Sequence, residues 1–167
     1  PLIDHSGWAC TYYVYDIYGN LRFVLPPALT DIIATSNRLP TTQELSAYAF
    51  YYKYDGRHRM IEKTVPGAKP VKMVYDQWDR LVLTQDGEQR FDNEWLYTKY
   101  AHLNRPVVTG VCQINRNESQ IRSDAMSSSI RYEEYTSNGN YTNNQTYPKG
   151  QYVTFSPTHI LTITYYD

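Results

Sequence analysis

Long apolar runs are missing from this sequence. No stretch approaches the ~20 consecutive apolar residues that a membrane-spanning helix needs, so we expect no membrane span in this chain. A strong charge of either sign is missing as well, because 16 Lys and Arg against 17 Asp and Glu leave a net charge of −1. A nearly neutral chain lacks the positive field that attracts nucleic acid, and we expect no nucleic-acid partner.

Cysteine and histidine are scarce. The two cysteines, Cys10 and Cys112, form no Cys-x-x-Cys pair, and the four histidines show no His-x-x-x-His spacing. These are spacings by which many zinc sites are recognised, so we expect no metal and no cofactor. The sequence leaves two alternatives for the cysteines, a mutual disulfide or two separate buried thiols, and it favours the second.

The sequence motifs of common enzymes are missing too. There is no Gly-x-Ser-x-Gly elbow, no phosphate-binding loop and no zinc-protease helix. The best candidates for hydrolysis are acidic residues near a Trp, since glycosidases place two carboxylates across a sugar. These are Asp86, Asp92, Glu94 and Trp95. We interpret them as residues of a solvated connector after the Asp86-Gly87 turn signal, and we expect the chain not to be an enzyme.

Tyrosine, by contrast, is abundant, with 18 Tyr against 4 Phe and 3 Trp. Many tyrosines belong to a short pattern in which an alternating aromatic or β-branched run ends at a Tyr, as is typical of a strand. An Asp follows the Tyr in every copy but the last, where Ala101 stands instead. The copies are centred on Tyr15, Tyr54, Tyr75 and Tyr100, and Tyr166-Asp167 looks like the start of a fifth.

Each copy predicts a strand, a tight turn and a second strand. The Asp can accept hydrogen bonds from amides just ahead of it, which suits the head of a turn. Three positions further on stand four residues that share only a tolerance of positive φ: Gly19, His58, Asp79 and Asn104. We predict a left-handed backbone there. A catalytic acid is not needed once per repeat, so we interpret the pattern as structural. The structural turn residues are Tyr15, Asp16, Gly19, Tyr54, Asp55, His58, Tyr75, Asp76, Asp79, Arg80, Tyr100, Asn104 and Arg105.

The predicted fold is mainly β, a single unit of antiparallel β-hairpin repeats with a short helical insertion. Hairpins are predicted near 11–25, 50–64, 71–85 and 96–113, with the insertion at 28–49, where Thr41 suits a helix cap. Residues 114–150 read as a polar, variable segment with little to bury, in which 115–129 forms either a surface helix or a mobile loop. The alternating residues 160–167 predict the last strand.

The pattern Tyr-Asp-x-x-Gly-Arg-Leu resembles the YD repeat of RHS proteins. Three longer phrases are similar to RHS-repeat proteins of Bacteroidetes: Arg59-Met60-Ile61-Glu62-Lys63, Asp79-Arg80-Leu81-Val82-Leu83-Thr84-Gln85-Asp86-Gly87 and Trp95-Leu96-Tyr97-Thr98-Lys99-Tyr100. The resemblance spans nearly the whole chain, with little from 111–158. It implies a ribbon of hairpins that spirals into a hollow shell, which encloses a toxin in those relatives that carry one.

The resemblance also implies an extracellular or cell-surface location in a bacterium and a non-catalytic role as a scaffold for display, adhesion or toxin encapsulation. The partners would be neighbouring repeats of a longer chain, a toxin cargo or a surface glycan, and uncovered strands predict edge-to-edge self-association. Repeat-like sequence at both ends makes us expect a piece of a longer protein. The alternative function is a glycan-binding surface module with exposed Trp or Tyr platforms, of which Trp78, Trp95 and Trp8 are the foremost candidates.

Overall fold

The structure, a computed structural model, describes residues 7–138, 141, 146–148 and 153–166, and of 153–159 only the backbone. The chain divides into two compact units, Pro1–Val71 and Lys72–Asp167, whereas a single unit was predicted from the sequence. The described residues are mainly β, with antiparallel hairpins and three short α-helices. The predicted fold class is therefore confirmed, including the helical insertion.

The first unit contains four strands and two helices. In chain order these are β1 (Tyr12–Tyr15), β2 (Leu21–Leu25), α1 (Pro27–Ser36), α2 (Thr42–Tyr48), β3 (Phe50–Tyr54) and β4 (Met60–Thr64). Each strand is antiparallel to the next one in the sequence. Strand β2 ends where Pro26 and Pro27 remove two amide donors from the ladder, and Pro27 then opens α1, a position that tolerates proline.

Local chemistry fixes both ends of the helical insertion. Helix α1 stops at Asn37, which adopts a left-handed conformation with φ of 48°. Thr41 and Glu44 then form a capping box at the start of α2, because each side chain accepts a hydrogen bond from the other residue's backbone amide. The two helices enclose a small core of Leu29, Ile33 and Ala49. Apart from Pro27, both helices lie within the predicted insertion, 28–49.

The second unit contains five strands, one 3-10 helix and one α-helix. In chain order these are β5 (Val71–Tyr75), β6 (Leu81–Gln85), the 3-10 helix Gln89–Asp92, β7 (Glu94–Tyr100), β8 (Pro106–Ile114), α3 (Glu118–Ser127) and β9 (Val153–Ile163). Strands β5 to β9 again pair antiparallel in sequence order. Strand β8 continues past Gly110 to Ile114, and its register against β9 is irregular at Gly110.

The segment 114–150 does not match the expectation that it has little to bury. Helix α3, capped by Asn117 and Gln120, buries Ile121 and Ala125, and Tyr147 joins the same core. Of the two alternatives at 115–129, the surface helix is therefore confirmed and the mobile loop is wrong; one face of α3 packs on the core and the other is exposed. The sequence hid this packing because the apolar residues are few and widely spaced, so that they leave no clear helical period.

The last strand also differs from its predicted bounds. It begins at Val153 and ends at Ile163, whereas 160–167 was predicted, and Asp167 lies outside the described residues. The pairs Cys112 with Phe155 and Gly110 with Ile160 leave extra residues on the β9 side. Pro157 falls in this bulge, where no ladder hydrogen bond is needed from it.

The core of the second unit forms around β7, in which buried and half-buried residues alternate. Trp95, Tyr97 and Lys99 point to the buried face, and Cys112 on β8 lies directly opposite Trp95. Both cysteines are free thiols, so the disulfide alternative is excluded. Burial raises the pKa of the Cys112 thiol to about 12, which suppresses its reactive thiolate form at neutral pH.

We predict that a small thiol reagent at pH 8 modifies the half-buried Cys10 in the native protein and leaves Cys112 unmodified. Cys112 should react once the chain is unfolded in guanidinium chloride, because unfolding restores the ordinary pKa of its thiol. Mass spectrometry after timed quenching measures both sites. A Cys10→Ser variant is the control and should show no native labelling, whereas equal rates at the two sites would contradict the packing of Cys112.

Candidate functional site

The four repeat turns share one backbone geometry. In each, the amide of the fourth residue donates to the carbonyl of the first, over 3.0–3.2 Å, and the amide of the first residue donates to the carbonyl of the fifth, over 2.8–3.0 Å. Every hairpin also has a register irregularity at its Tyr. These are the features of a three-residue hairpin loop that ends in a bulge. The left-handed residues have φ of 80°, 62°, 62° and 57°, at Gly19, His58, Asp79 and Asn104, which confirms the predicted conformation.

The Asp carboxylate fixes the turn in three copies. One Asp76 oxygen accepts hydrogen bonds from the amides of Trp78 and Arg80, both at 3.0 Å. Asp16 and Asp55 accept from the amides at the same two positions of their own turns, over 2.9–3.0 Å. The second oxygen binds a side chain, which is Asn20 in the first copy and an Arg in the next two. An Asp at this position therefore satisfies amides that the turn leaves unpaired.

The third copy, built on Asp76 and Arg80, extends into a buried polar network. The Asp76 side chain is 2% exposed, against 20% for Asp16 and 21% for Asp55. Arg80 donates to Asp76 through Nε and Nη2, both over 2.7 Å, and its guanidinium also donates to the backbone carbonyl of Arg131. The guanidinium carbon of Arg80 lies 5.1 Å from the centroid of the Trp78 ring and 4.9 Å from that of the Tyr100 ring. Arg80 therefore contacts a carboxylate, a backbone carbonyl and two aromatic rings.

The fourth copy retains the Arg and lacks the carboxylate. Ala101 occupies the Asp position, yet Arg105 stands four residues later as in the second and third copies. Its Nε is buried and has no hydrogen-bond partner among the residues that the structure describes. Its guanidinium carbon lies 4.4 Å from the centroid of the Tyr166 ring, a cation–π contact. Tyr166 is anchored in turn by a 3.1 Å hydrogen bond to the carbonyl of Pro106.

This fourth turn borders a cleft of about 600 Å³, which we call the tyrosine cleft. Five of the side chains that line it are tyrosines: Tyr132, Tyr135, Tyr141, Tyr165 and Tyr166. Tyr141 and Tyr165 stack with their ring planes 18° apart, and Tyr135 meets both edge to face. Tyr135 is 61% exposed and Tyr165 is 52% exposed. The rings are therefore held in place by one another and still face solvent.

A buried ion pair between Lys99 and Glu133, of which Glu133 lines the cleft, fixes the position of residues 146–148. Lys99 and Glu133 are fully buried, and the Lys99 Nζ lies 3.6 Å from the nearer Glu133 oxygen. Glu133 also accepts from the amide and the hydroxyl of Thr146, at 2.9 and 2.6 Å, while Lys99 donates to the carbonyl of Pro148 at 2.8 Å. Residues 146–148 are thus tied to β7 by hydrogen bonds to charged groups, which are stronger than those between neutral groups.

The three Trp residues predicted as exposed platforms differ widely in their exposure. Trp95 is 3% exposed and lies in the core, so its prediction as a ligand platform is wrong; the alternation of β7 turns it inward. Trp78 is half-buried beside Arg80, whereas Trp8 is 77% exposed. Among the acidic candidates, Asp86 accepts hydrogen bonds from the amides of Glu88 and Gln89 at the start of the 3-10 helix, and the exposed Asp92 is the last residue of that helix.

Sequence reasoning did not find the tyrosine cleft. Its tyrosines come from a turn-rich segment and from the residues after β9, parts of the chain far apart in the sequence. One signal was present: the fourth copy alone replaces Asp by Ala while keeping its Arg. That departure marks the turn whose arginine has no carboxylate partner within its own repeat.

Other classes of site gain no support in the described part of the chain. No group of three or more His, Cys, Asp or Glu residues suitable for a metal is present among the described residues. None of the helices described has both the length and the apolar character to cross a membrane. A scan against models of known protein families finds no match to this chain, and a search of curated proteins finds none either.

We predict that Asp76→Ala destabilises the second unit far more than Asp16→Ala destabilises the first. Removing one partner of a buried ion pair costs ~3–5 kcal/mol, whereas the more exposed Asp16 carboxylate, whose interactions are screened by water, contributes much less. Urea unfolding followed by tryptophan fluorescence and by hydrogen exchange of each unit measures the difference. Asp76→Asn is the matched control and should have an intermediate effect, since it retains an acceptor oxygen. Equal losses for both alanine variants would contradict the importance of burial.

We also predict that acid weakens the second hairpin, which is built on Asp55. Burial alone would raise the pKa of Asp55, but hydrogen bonds from the Arg59 side chain and amide outweigh it and leave the pKa below its ordinary value. A lowered pKa in the folded state means stability that is present above the ordinary value and is lost as the pH falls through the folded value. Thermal unfolding between about pH 5 and pH 2 should therefore show a smaller loss in Asp55→Asn than in the parent. Identical pH profiles would contradict this.

Proposed function

We propose that this chain is a non-catalytic structural segment of a large secreted or cell-surface bacterial protein built from RHS/YD-type repeats. The observation that carries the proposal is the turn geometry. Four turns of different sequence share the same backbone hydrogen bonds and the same left-handed position. Hairpin loops of this type are common, but four successive ones at the same place in a Tyr-led pattern are what copies of one repeated unit would give.

The order of the strands supports a scaffold. Within each unit every hairpin continues the sheet from the strand that precedes it in sequence. Such a ribbon lengthens by adding hairpins at its end, without long-range rearrangement, as in other repeat proteins. A longer ribbon of this kind would serve for display, for adhesion or for enclosing a toxin, which are the roles that the resemblance implies.

The first strand offers a surface for a neighbouring repeat. In the described part of the chain β1 pairs with β2 and with no other strand. Tyr13, Val14 and Tyr15 on this strand are 40–59% exposed, and Ile17 in the following turn is 91% exposed. An uncovered strand with apolar side chains is a template for pairing with another strand. In a repeat array the preceding hairpin would cover it.

We predict concentration-dependent self-association of this chain through β1, measured by sedimentation velocity. Val14→Lys should shift the population towards monomer, because a charge on an edge strand opposes pairing with another copy. Leu39→Lys, on the exposed loop between α1 and α2, is the control and should leave the association unchanged. A longer chain that includes the preceding sequence of the gene should protect the β1 amides from hydrogen exchange. A monomer at all concentrations with unprotected β1 amides in the longer chain would count against the scaffold.

The tyrosine cleft favours a second candidate function, a glycan-binding surface module. Aromatic faces that are fixed in position and open to solvent suit the flat apolar faces of sugar rings, and phenol hydroxyls can bind sugar hydroxyls. This candidate differs from the scaffold in its requirement for ligand binding. Calorimetric titration with a panel of oligosaccharides separates the two functions, because only the module should bind a sugar. No heat of binding across the panel would leave the scaffold alone.

A further inference from the structure

The fourth turn contains an arginine that has no carboxylate partner within its own repeat. Arg80 and Arg59 each donate to the Asp carboxylate of their own turn, but Arg105 faces Ala101 at that position. The Arg105 Nε is buried without a hydrogen-bond partner among the described residues. A buried donor left without an acceptor costs free energy, so its retention needs a physical reason. The guanidinium as a whole lines the tyrosine cleft, so a ligand there can supply the carboxylate that the turn lacks.

We propose that the tyrosine cleft binds a sugar that carries one carboxylate, with Arg105 as the residue that binds the charge. This inference rests on the second candidate function, glycan binding, and specifies its ligand class. In the second and third repeats, a carboxylate oxygen lies 2.7 Å from the Arg Nε. In the fourth repeat no side chain of the turn supplies such an oxygen, and the ligand carboxylate binds the Nη groups on the side of the guanidinium that lines the cleft. Arg geometry suits this contact because a guanidinium binds a carboxylate through two parallel N–H groups.

The other charges of the cleft limit the ligand to a single carboxylate. Glu134 lines the cleft beside Arg105, and a second ligand carboxylate near it would be repelled. Glu134 can instead accept hydrogen bonds from hydroxyl groups. His102, which contacts Tyr132 edge to face at 6.1 Å, adds ring nitrogens that can also bind hydroxyls. One carboxylate and several hydroxyls on the same ring describe a uronic acid.

The tyrosines favour a sugar over an acidic peptide. Tyr135 and Tyr165 are more than half exposed and contact each other edge to face, so they present flat, open surfaces and not a deep apolar pocket. Peptide side chains gain most from enclosed apolar pockets, whereas a pyranose ring gains from stacking on an open ring face. The rim of phenol hydroxyls again suits a ligand rich in hydroxyl groups.

The test uses the methyl glycoside of galacturonic acid, which carries one carboxylate, as the probe, with its methyl ester as the neutral match. Isothermal titration calorimetry on the whole chain should detect the acid, with a dissociation constant of ~1 mM or tighter, as expected for one charge-assisted contact plus ring stacking. The ester should bind at least about tenfold more weakly, since it lacks the charge. Amide chemical shifts should change around the fourth turn and around Tyr135.

Two variants separate the role of Arg105 from folding. Arg105→Gln should weaken binding of the acid about tenfold or more and leave the weak binding of the ester unchanged. Ala101→Asp restores the carboxylate of the other repeats, so it should pair with Arg105 internally and abolish binding of the acid while the turn stays folded. Arg57→Gln, on the exposed turn of the second hairpin, removes the same charge elsewhere and should bind as the parent does.

Each other outcome overturns the proposal. Equal affinity for acid and ester, unaffected by Arg105→Gln, would overturn the carboxylate inference and leave glycan binding standing. Absence of binding to either sugar at ~10 mM, well above the expected dissociation constant, would overturn both. Tighter binding of a tri-aspartate peptide would overturn the assignment to sugars. Full binding by a folded Ala101→Asp variant would show that the Arg105 side chain is not the contact.

Discussion

The left-handed residue in each repeat turn is the constraint on which the hairpins depend. It lets the chain reverse in three residues and return in register, with the bulge placed at the Tyr of each copy. Gly19 meets the requirement freely, while His58, Asp79 and Asn104 belong to the residue types that tolerate it best. Because the turn sets the register, it also decides which side chains of each strand face the core.

The same turn supports different chemistry in different copies. Where Asp16 is partly exposed, the carboxylate closes the turn and little more. Where Asp76 is buried, the carboxylate and Arg80 join the turn to the segment around Arg131. Where Ala101 replaces the Asp, Arg105 contacts the Tyr166 ring and lines the tyrosine cleft. The same turn backbone therefore occurs in all four copies, and only the fourth copy lacks the Asp carboxylate.

The Lys99 and Glu133 pair shows how the second unit incorporates a polar segment. Burying two charges carries a large desolvation penalty, which is offset only when the geometry is good and the remaining hydrogen bonds are satisfied. Here Thr146 and Pro148 supply those hydrogen bonds. The pair specifies one position for a segment that has few apolar residues of its own, and it thereby helps to form one wall of the tyrosine cleft.

Much of the local structure followed from residue patterns of short range. Strand alternation, the cap at Thr41 and the left-handed turn positions each depend on contacts within a few residues, and the sequence predicted them. Trp95 was misplaced because alternation shows that two faces exist but not which of them is buried. The length of β9 was missed because its pairing with β8 overrides its side-chain pattern.

The sequence by itself therefore determined the hairpins, their turns and the helical insertion, since each is encoded by neighbours along the chain. Only the tertiary structure decided that the segment after β8 is packed, that Lys99 finds Glu133, and that five tyrosines meet beside Arg105. The physical reason is sequence separation. Contacts between distant residues depend on how whole elements pack and leave no period or spacing that a local pattern could reveal.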